Sequence, residues 1–260
     1  MSRLPLAILT GATGGIGQAV APLLAERGYR VALLGRNHDV LDELLMKLGK
    51  DRAVAISLDL VQERQPLASI VGPVIEDNGP VEVLVNNAGA GEYRPFLEQS
   101  PQRHRELMQL NYLAAAELIH LVLPKMVERG SGHVINIASM AALIGPWGHS
   151  GYAGAKAALV SLTQTLDAEY AHTGVCFCSL CPGFVDTGFF RNPQIQPLWR
   201  KVRSQAMSPD RVAAKVMNLI DRPRLIQTIP CHYRMLDWIR ALSPRLAHRL
   251  VARQSRPGPE

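Results

Sequence analysis

The chain has 260 residues, 47% of them hydrophobic and 19% charged, with a net charge of +6. That composition supplies a full apolar core for one large α/β domain or two small ones. No apolar run approaches the eighteen or more residues of a spanning helix and no signal peptide opens the chain, so a cytoplasmic location is expected.

The charge is unevenly placed. Residues 222–256 carry Arg222, Arg224, Arg234, Arg240, Arg245, Arg249, Arg253 and Arg256 against the single acid Asp237, which leaves +7 there and −1 for the rest. The body therefore shows no nucleic-acid footprint, and the basic character belongs to the tail. Cys176, Cys178 and Cys181 crowd one strand-like run with no further ligands adjacent in sequence, so they read as buried thiols rather than a metal site.

In chain order, Leu4–Leu9 is a short apolar run that predicts a buried strand. It leads into Thr10-Gly11-Ala12-Thr13-Gly14-Gly15-Ile16-Gly17, and Val20, Leu23 and Leu24 then form the apolar face of a helix. Strand, glycine turn and helix are the context of a dinucleotide loop. There the backbone approaches a pyrophosphate and the helix N-terminus offers free N–H groups, which singles out Gly11, Thr13, Gly15, Ile16 and Gly17. Tyr29–Gly35 is the second strand, followed by Arg36 and Asn37, both expected at the cofactor. A carboxylate at that strand end would hold the adenosine ribose hydroxyls and repel a 2′-phosphate. Its absence, with a guanidinium in its place, points to NADPH over NADH.

Ala53–Leu58 is the third strand and ends in Asp59-Leu60. Asp59 either accepts from an adenine amino group or caps a helix. A helical stretch runs to Asp77, and Val81–Val85 delivers Asn86-Asn87-Ala88-Gly89 at the end of a fourth strand. Small residues there let a nucleoside lie across the strand tops, while the asparagines can tie neighbouring strands together. A long helix follows from about Pro101 to Glu128, with Asn111 inside it, a position that calls for a kink or a held water. His133–Ala138 and Val175–Leu180 are the fifth and sixth strands, and the second of them ends in Cys181-Pro182-Gly183.

From Phe184 to Pro209 the periodicity is lost, and Phe184, Phe189, Phe190 and Trp199 suggest an irregular lid over an apolar substrate. A helix to Asp221 and a strand-like run Leu225–Ile229 complete a domain of residues 1–230. The tail, 231–260, spaces Leu236, Ile239, Leu242, Leu246 and Leu250 at three- and four-residue steps, and Ser243-Pro244 divides it into two short helices. Such a segment can cover the substrate cleft, pack on a partner subunit or lie on an anionic membrane.

The chemistry centres on Ser139, Tyr152 and Lys156. Tyrosine and lysine four apart share one helix face, about 6 Å apart along the axis. An ammonium there favours the phenolate and is expected to lower the phenol pKa towards the working range. Ser139 stands thirteen residues earlier, after the fifth strand, where its hydroxyl can face the phenol across a cleft. The three groups could hold a carbonyl oxygen and deliver a proton to it.

With these residues laid out, the chain from 4 to about 230 resembles the short-chain dehydrogenase/reductase family, compact single-domain subtype. The loop TGATGGIG alone fits two glycine patterns; the length, the Asn-Asn-Ala-Gly element and the serine–tyrosine spacing decide for the compact subtype. The resemblance implies a Rossmann-like, doubly wound, seven-stranded parallel sheet in three α/β/α layers, here with a C-terminal helical tail. It implies Tyr152 as general acid or base and Lys156 lowering its pKa and holding the nicotinamide ribose. Ser139 would polarise the carbonyl and Asn111 anchor a water in the proton relay. Asn87, Ala88 and Gly89 would line the cofactor, and Pro182, Gly183, Val185 and Thr187 would seat its carboxamide end. Gly154, where the family often has alanine or serine, is a departure outside the chemistry. A homodimer or homotetramer is the family's usual assembly. The tail departs from the Gly-Gly ending of the 3-oxoacyl-carrier-protein reductases and is more like members acting on steroid, retinoid or long-chain lipid carbonyls. The expected reaction is hydride transfer between NADPH and a hydrophobic carbonyl or secondary alcohol. The alternatives are a 3-oxoacyl reductase and a non-catalytic nucleotide-binding regulator.

Overall fold

The computed structural model of the chain describes residues 4–62, 65–191, 195–233, 235, 239 and 242–256. Seven strands form one parallel sheet in the order β3-β2-β1-β4-β5-β6-β7. They are β1 (Leu6–Thr10), β2 (Arg30–Gly35), β3 (Ala53–Ser57), β4 (Val81–Asn86), β5 (Gly132–Ile137), β6 (Val175–Pro182) and β7 (Ile226–Ile229). The expected doubly wound α/β/α sandwich is present. The boundaries shift by a residue or two: β1 starts at Leu6 rather than Leu4, and β6 runs on to Pro182.

Strand alternation sorts the core into two faces. Ala7 and Leu9 pack with Val20, Ala21 and Leu24 of α1 (Gly15–Glu26) and with Val212, Val216 and Leu219 of α9 (Pro209–Asp221). Leu6 and Ile8 point the other way, onto Val71 of α3 (Leu67–Asn78) and Leu118 and Val122 of α5 (Ala114–Arg129). Between these layers β1 and β4 are neighbours, and the chain leaves their carboxyl ends in opposite directions. That is the switch point where an open α/β sheet forms its crevice.

The helix around Asn111 is kinked as its position demanded. α4 (Pro101–Met108) passes into α5 through a single π-turn, Gln109–Leu113. The stretch Pro101–Arg129 is long and apolar enough to cross a bilayer by length and composition, yet Leu107, Leu118, Val122 and Met126 are buried within the protein.

The segment 184–209 is more ordered than its lost periodicity suggested. It contains a 3-10 turn at Gly188–Arg191, α8 (Gln196–Val202) and a second 3-10 turn at Arg203–Gln205. Prolines and large aromatics obscured a helix that is held by a local cluster, in which Phe190 stacks on Trp199 and meets Phe184 and Phe189 edge-on.

In the tail the structure decides which face is buried, a point the sequence left open. α10 (Pro244–Ser255) begins at the expected proline, but the leucine stripe is not its buried face. Ala247, Val251 and Ser255 are buried, while Leu242, Leu246 and Leu250 are exposed. Small side chains let the helix approach the body closely, and the leucines are left outside. Leu236 of the expected stripe lies outside the described residues, as do Arg234, Asp237 and Arg240.

Candidate active site

A polar ladder fixes the catalytic helix α7 (Ser150–Glu169) to the sheet. Asn86 donates to Asn136 (2.8 Å), Asn136 to Thr163 (2.9 Å), Ser179 to Thr163 (2.8 Å) and Thr163 to the Leu159 carbonyl (2.8 Å). Asn136, Thr163 and Ser179 have no solvent exposure, so the ladder ties β4, β5, β6 and α7 together in a setting where each unmade bond is costly. It presents Tyr152 and Lys156, both buried, to the ends of β5 and β6.

Lys156 Nζ donates to the Ile137 carbonyl at 2.7 Å. The Ser139 hydroxyl hydrogen-bonds the Tyr152 phenol and accepts from the Ala141 amide at 3.1 Å, at the start of α6 (Ala141–Ile144). Asn111 donates to the Ala90 and Leu107 carbonyls, each at 2.9 Å, and its buried Oδ1 has no partner. A Cβ at Gly89 would stand 2.8 Å from that Oδ1 and 3.3 Å from Lys156 Nζ. Asparagine and lysine thus converge on one small space that a glycine keeps open, with an acceptor free for a water or a hydroxyl.

Burial corrects the expected electrostatics. The Tyr152 phenol is pushed up to about 12 by burial, with Ser139 pulling it down and Cys181 adding a smaller upward push. Burial draws Lys156 down to about 8. In a dry apolar cavity the lost hydration of both charged forms outweighs their mutual attraction. Tyr152 is therefore a protonated donor, suited to reduction. Because the lysine value is lowered, its ammonium is lost as pH rises through about 8. The kcat/KM for a carbonyl substrate is expected to fall through a limb near that pH. A pH profile checks this, and a limb at the ordinary lysine value of 10.5 would refute it.

Two spaces meet at these residues. The first is a groove of about 600 Å³ along the carboxyl ends of β1, β2 and β4, lined by Gly11, Thr13, Gly15, Ile16, Arg36, Leu60, Asn87, Ala88, Gly89 and Thr187. Gly11 has φ +62°, and a Cβ on it would meet the Ala88 Cα at 2.9 Å, so only glycine makes this turn. Asn87 secures it by donating to the Thr10 and Gly11 carbonyls, both at 3.0 Å. No side chain caps α1, whose first amides remain free for an anion.

Three residues expected at the cofactor do not line this groove. Gly17 is buried inside α1, where it packs against the Gly11 carbonyl. Asn37 caps α2 (His38–Leu48), accepting from Val40 N at 3.2 Å. Asp59 accepts from Val61 N at 2.9 Å, which fixes the turn after β3, and turns its other oxygen to Arg36 at 3.6 Å; the next described helix, α3, has its N-cap at Pro66, so Asp59 caps no helix. Arg36 stays largely exposed at the groove edge.

The second space is a cavity of about 180 Å³, walled chiefly by apolar residues and sharing Ile16, Asn87, Gly89, Thr187 and Phe189 with the groove. Ser139, Tyr152 and Lys156 line it, with Pro182, Gly183 and Val185 on the β6 side and Phe190, Leu198 and Val202 from the 184–209 segment. Several wall residues were not foreseen. His149 is buried beside Tyr152 (ring centroids 6.0 Å), with Nδ1 on the Trp147 carbonyl, and burial lowers its pKa. Tyr233, Val251 and Ser255 come from the tail. Ser255 closes the wall: its carbonyl accepts from the Tyr93 hydroxyl (2.6 Å) and its hydroxyl from the Trp147 amide (3.0 Å). The only sequence signal for this was the four-residue spacing of Ala247, Val251 and Ser255, which the longer leucines masked. Among the described residues no group of three His, Cys, Asp or Glu side chains could hold a metal.

A dinucleotide-shaped groove opening onto a proton donor and an apolar cavity defines a Rossmann-type oxidoreductase, and known proteins bear on the assignment. Residues 5–196 match the family of short chain dehydrogenases. Ketoacyl reductase HetN of Nostoc sp. (strain PCC 7120) is 36% identical over 180 residues, 68% of this chain and 62% of that protein. The short-chain dehydrogenase of Sphingobium yanoikuyae, solved with NADPH, has a TM-score of 0.80 and 26% identity over 98% of this chain and 99% of that one. A short-chain dehydrogenase/reductase of Burkholderia phymatum, solved with NAD, has a TM-score of 0.85 over the whole of both chains at 24% identity, a likeness of fold. The chain belongs to the short-chain dehydrogenase/reductase family and is an NAD(P)-dependent oxidoreductase acting on CH–OH or C=O groups.

Proposed function

We propose that residues 1–230 form an NADPH-dependent reductase of hydrophobic ketones, closed by the tail 231–260. The observation that carries this reading is the apolar cavity with a protonated, buried Tyr152 at its inner end. Gly11, Thr13, Gly15, Asn87, Ala88 and Gly89 would hold NADPH along the groove, where it would supply a hydride to the carbonyl carbon. Tyr152 gives its proton to the carbonyl oxygen while Ser139 donates a hydrogen bond to that oxygen. Lys156, seated on the Ile137 carbonyl, holds a ribose hydroxyl and a positive charge near the phenol. The unpartnered Asn111 Oδ1 holds a water that returns a proton towards Tyr152. Pro182, Gly183, Val185 and Thr187 seat the carboxamide end, and Arg36 pairs with a 2′-phosphate.

About 180 Å³ is below the roughly 300–1,000 Å³ of pockets for drug-sized ligands. A flexible acyl-type chain that threads in end-on suits it better than a rigid fused-ring body such as a steroid. The kinship with a ketoacyl reductase favours a second reading, a 3-oxoacyl thioester as substrate. Against a purely regulatory role stands the convergence of Ser139, Tyr152 and Lys156 on one cavity, with the free Asn111 oxygen meeting Lys156 at Gly89. NADPH consumption with alkanones, 3-oxoacyl thioesters and steroid ketones tests the order: turnover of alkanones above the other two supports the proposal, and no turnover of any carbonyl refutes it. We place the enzyme in the cytoplasm.

Val251→Trp is expected to raise KM for a bulky ketone about tenfold by overfilling the cavity, with NADPH affinity unchanged. Steady-state kinetics beside a nicotinamide fluorescence titration checks it.

A further inference from the structure

The tail helix has two working faces, and the cavity uses only one. Ala247, Val251 and Ser255 turn inward. On the outside Leu246 and Leu250 are 50% and 47% exposed, continued by Leu242 at 84%, and Met235 is also exposed. Arg245, Arg249 and Arg253 follow the same four-residue step in the adjoining row, all exposed. α10 has twelve residues, about 18 Å, against a hydrocarbon core of about 30 Å, so it cannot span a bilayer. A basic helix with an exposed leucine row matches the interfacial class, which buries its apolar row at the headgroup boundary and sets its cations among the phosphates.

We propose that the outer face of α10 docks the enzyme peripherally on an anionic lipid surface, which places the wall of the substrate cavity against the bilayer. Charge decides for this occupant. A second copy of the chain would bring two arginine rows together, whereas anionic headgroups neutralise them. The eight arginines against one acid over residues 222–256 extend the same sign along the chain that leads to the helix. The helix that meets the lipid is also the one that closes the cavity through Ser255, so docking sets the cavity one helix away from a bilayer that would deliver an apolar ketone. That delivery step rests on the apolar-ketone reading. The docking does not.

The test is co-sedimentation of the full-length protein with vesicles of phosphatidylcholine alone, and of phosphatidylcholine mixed with phosphatidylglycerol, at low and high salt. The wild type is expected to pellet with the anionic vesicles only, and less at high salt. Each arginine near an anionic surface strengthens binding by about fivefold, so Arg245→Glu/Arg249→Glu/Arg253→Glu should weaken partitioning by roughly a hundredfold or more. Leu246→Ser/Leu250→Ser should weaken it independently of salt. Both variants change exposed side chains away from the cavity and should keep wild-type turnover of a short, water-soluble ketone without vesicles, which verifies their folding. Absence of vesicle binding, or equal binding by wild type and both variants, overturns the proposal. Concentration-dependent dimerisation lost in the leucine variant, without vesicle binding, assigns the face to a second copy and overturns it too. Vesicle binding is read without substrate, and soluble-ketone turnover without vesicles, so failure of docking and failure of the ketone reading are told apart.

Discussion

Replacing Tyr152 by phenylalanine is expected to lower kcat for ketone reduction about a thousandfold while leaving NADPH affinity and KM nearly unchanged. The substitution removes one oxygen and keeps the ring that packs against Phe189 and His149 at centroid distances of 5.7 and 6.0 Å. The cavity keeps its shape, so the loss reports proton transfer rather than binding. Burial holds the phenol up at about 12, which makes it the protonated group facing the carbonyl across the neutral range. Ser139 cannot take over, since an aliphatic hydroxyl is a far weaker acid than a phenol. Steady-state kinetics with a fluorescence titration of NADPH decides the matter. A variant that kept most of its kcat would move the proton to another donor.

Arg36→Asp is expected to reverse cofactor preference, weakening NADPH by about ten- to a hundredfold and favouring NADH. A charge-assisted hydrogen bond contributes about 1.5–3 kcal/mol, and the new carboxylate adds repulsion of the 2′-phosphate. The exposure of Arg36 sets the scale. Its side chain is 70% exposed and stands 3.6 Å from Asp59, so solvent and a neighbouring acid both screen it, and the effect belongs at the lower end of that range. Titration with both nucleotides, before and after the change, measures it. Equal binding of NADPH and NADH by the wild type would place the discrimination elsewhere and favour an oxidising dehydrogenase.

The sheet was legible because each strand is a short apolar run closed by turn chemistry, and burial on both faces demands such runs. The glycine turn, the Asn-Asn-Ala-Gly element and the serine–tyrosine–lysine spacing were legible for a related reason. Their geometry is local: a positive φ at Gly11, one helical turn between Tyr152 and Lys156, a strand end at Ser139. Asn111 announced its π-turn because an amide inside a helix has to find partners. The segment 184–209 and the tail were harder. Their helices are held by aromatic contacts and by Ser255 reaching Tyr93 and Trp147, residues far away in the chain.

Sequence by itself thus determined the parallel sheet, the dinucleotide turn and the identity of the groups gathered at its edge, since all of these follow from periodicity and near-neighbour chemistry. Tertiary structure alone decided three things. Gly17 serves packing, Asn37 caps α2 and Asp59 holds a turn, and none of the three lines the groove. The phenol is raised rather than lowered, because desolvation depends on everything that surrounds a group and not on the residue four places along. And the small face of the tail helix, not its leucine face, closes the cavity: close approach to a wall already filled by Tyr93 and Trp147 selects alanine, valine and serine, and leaves the leucines outside.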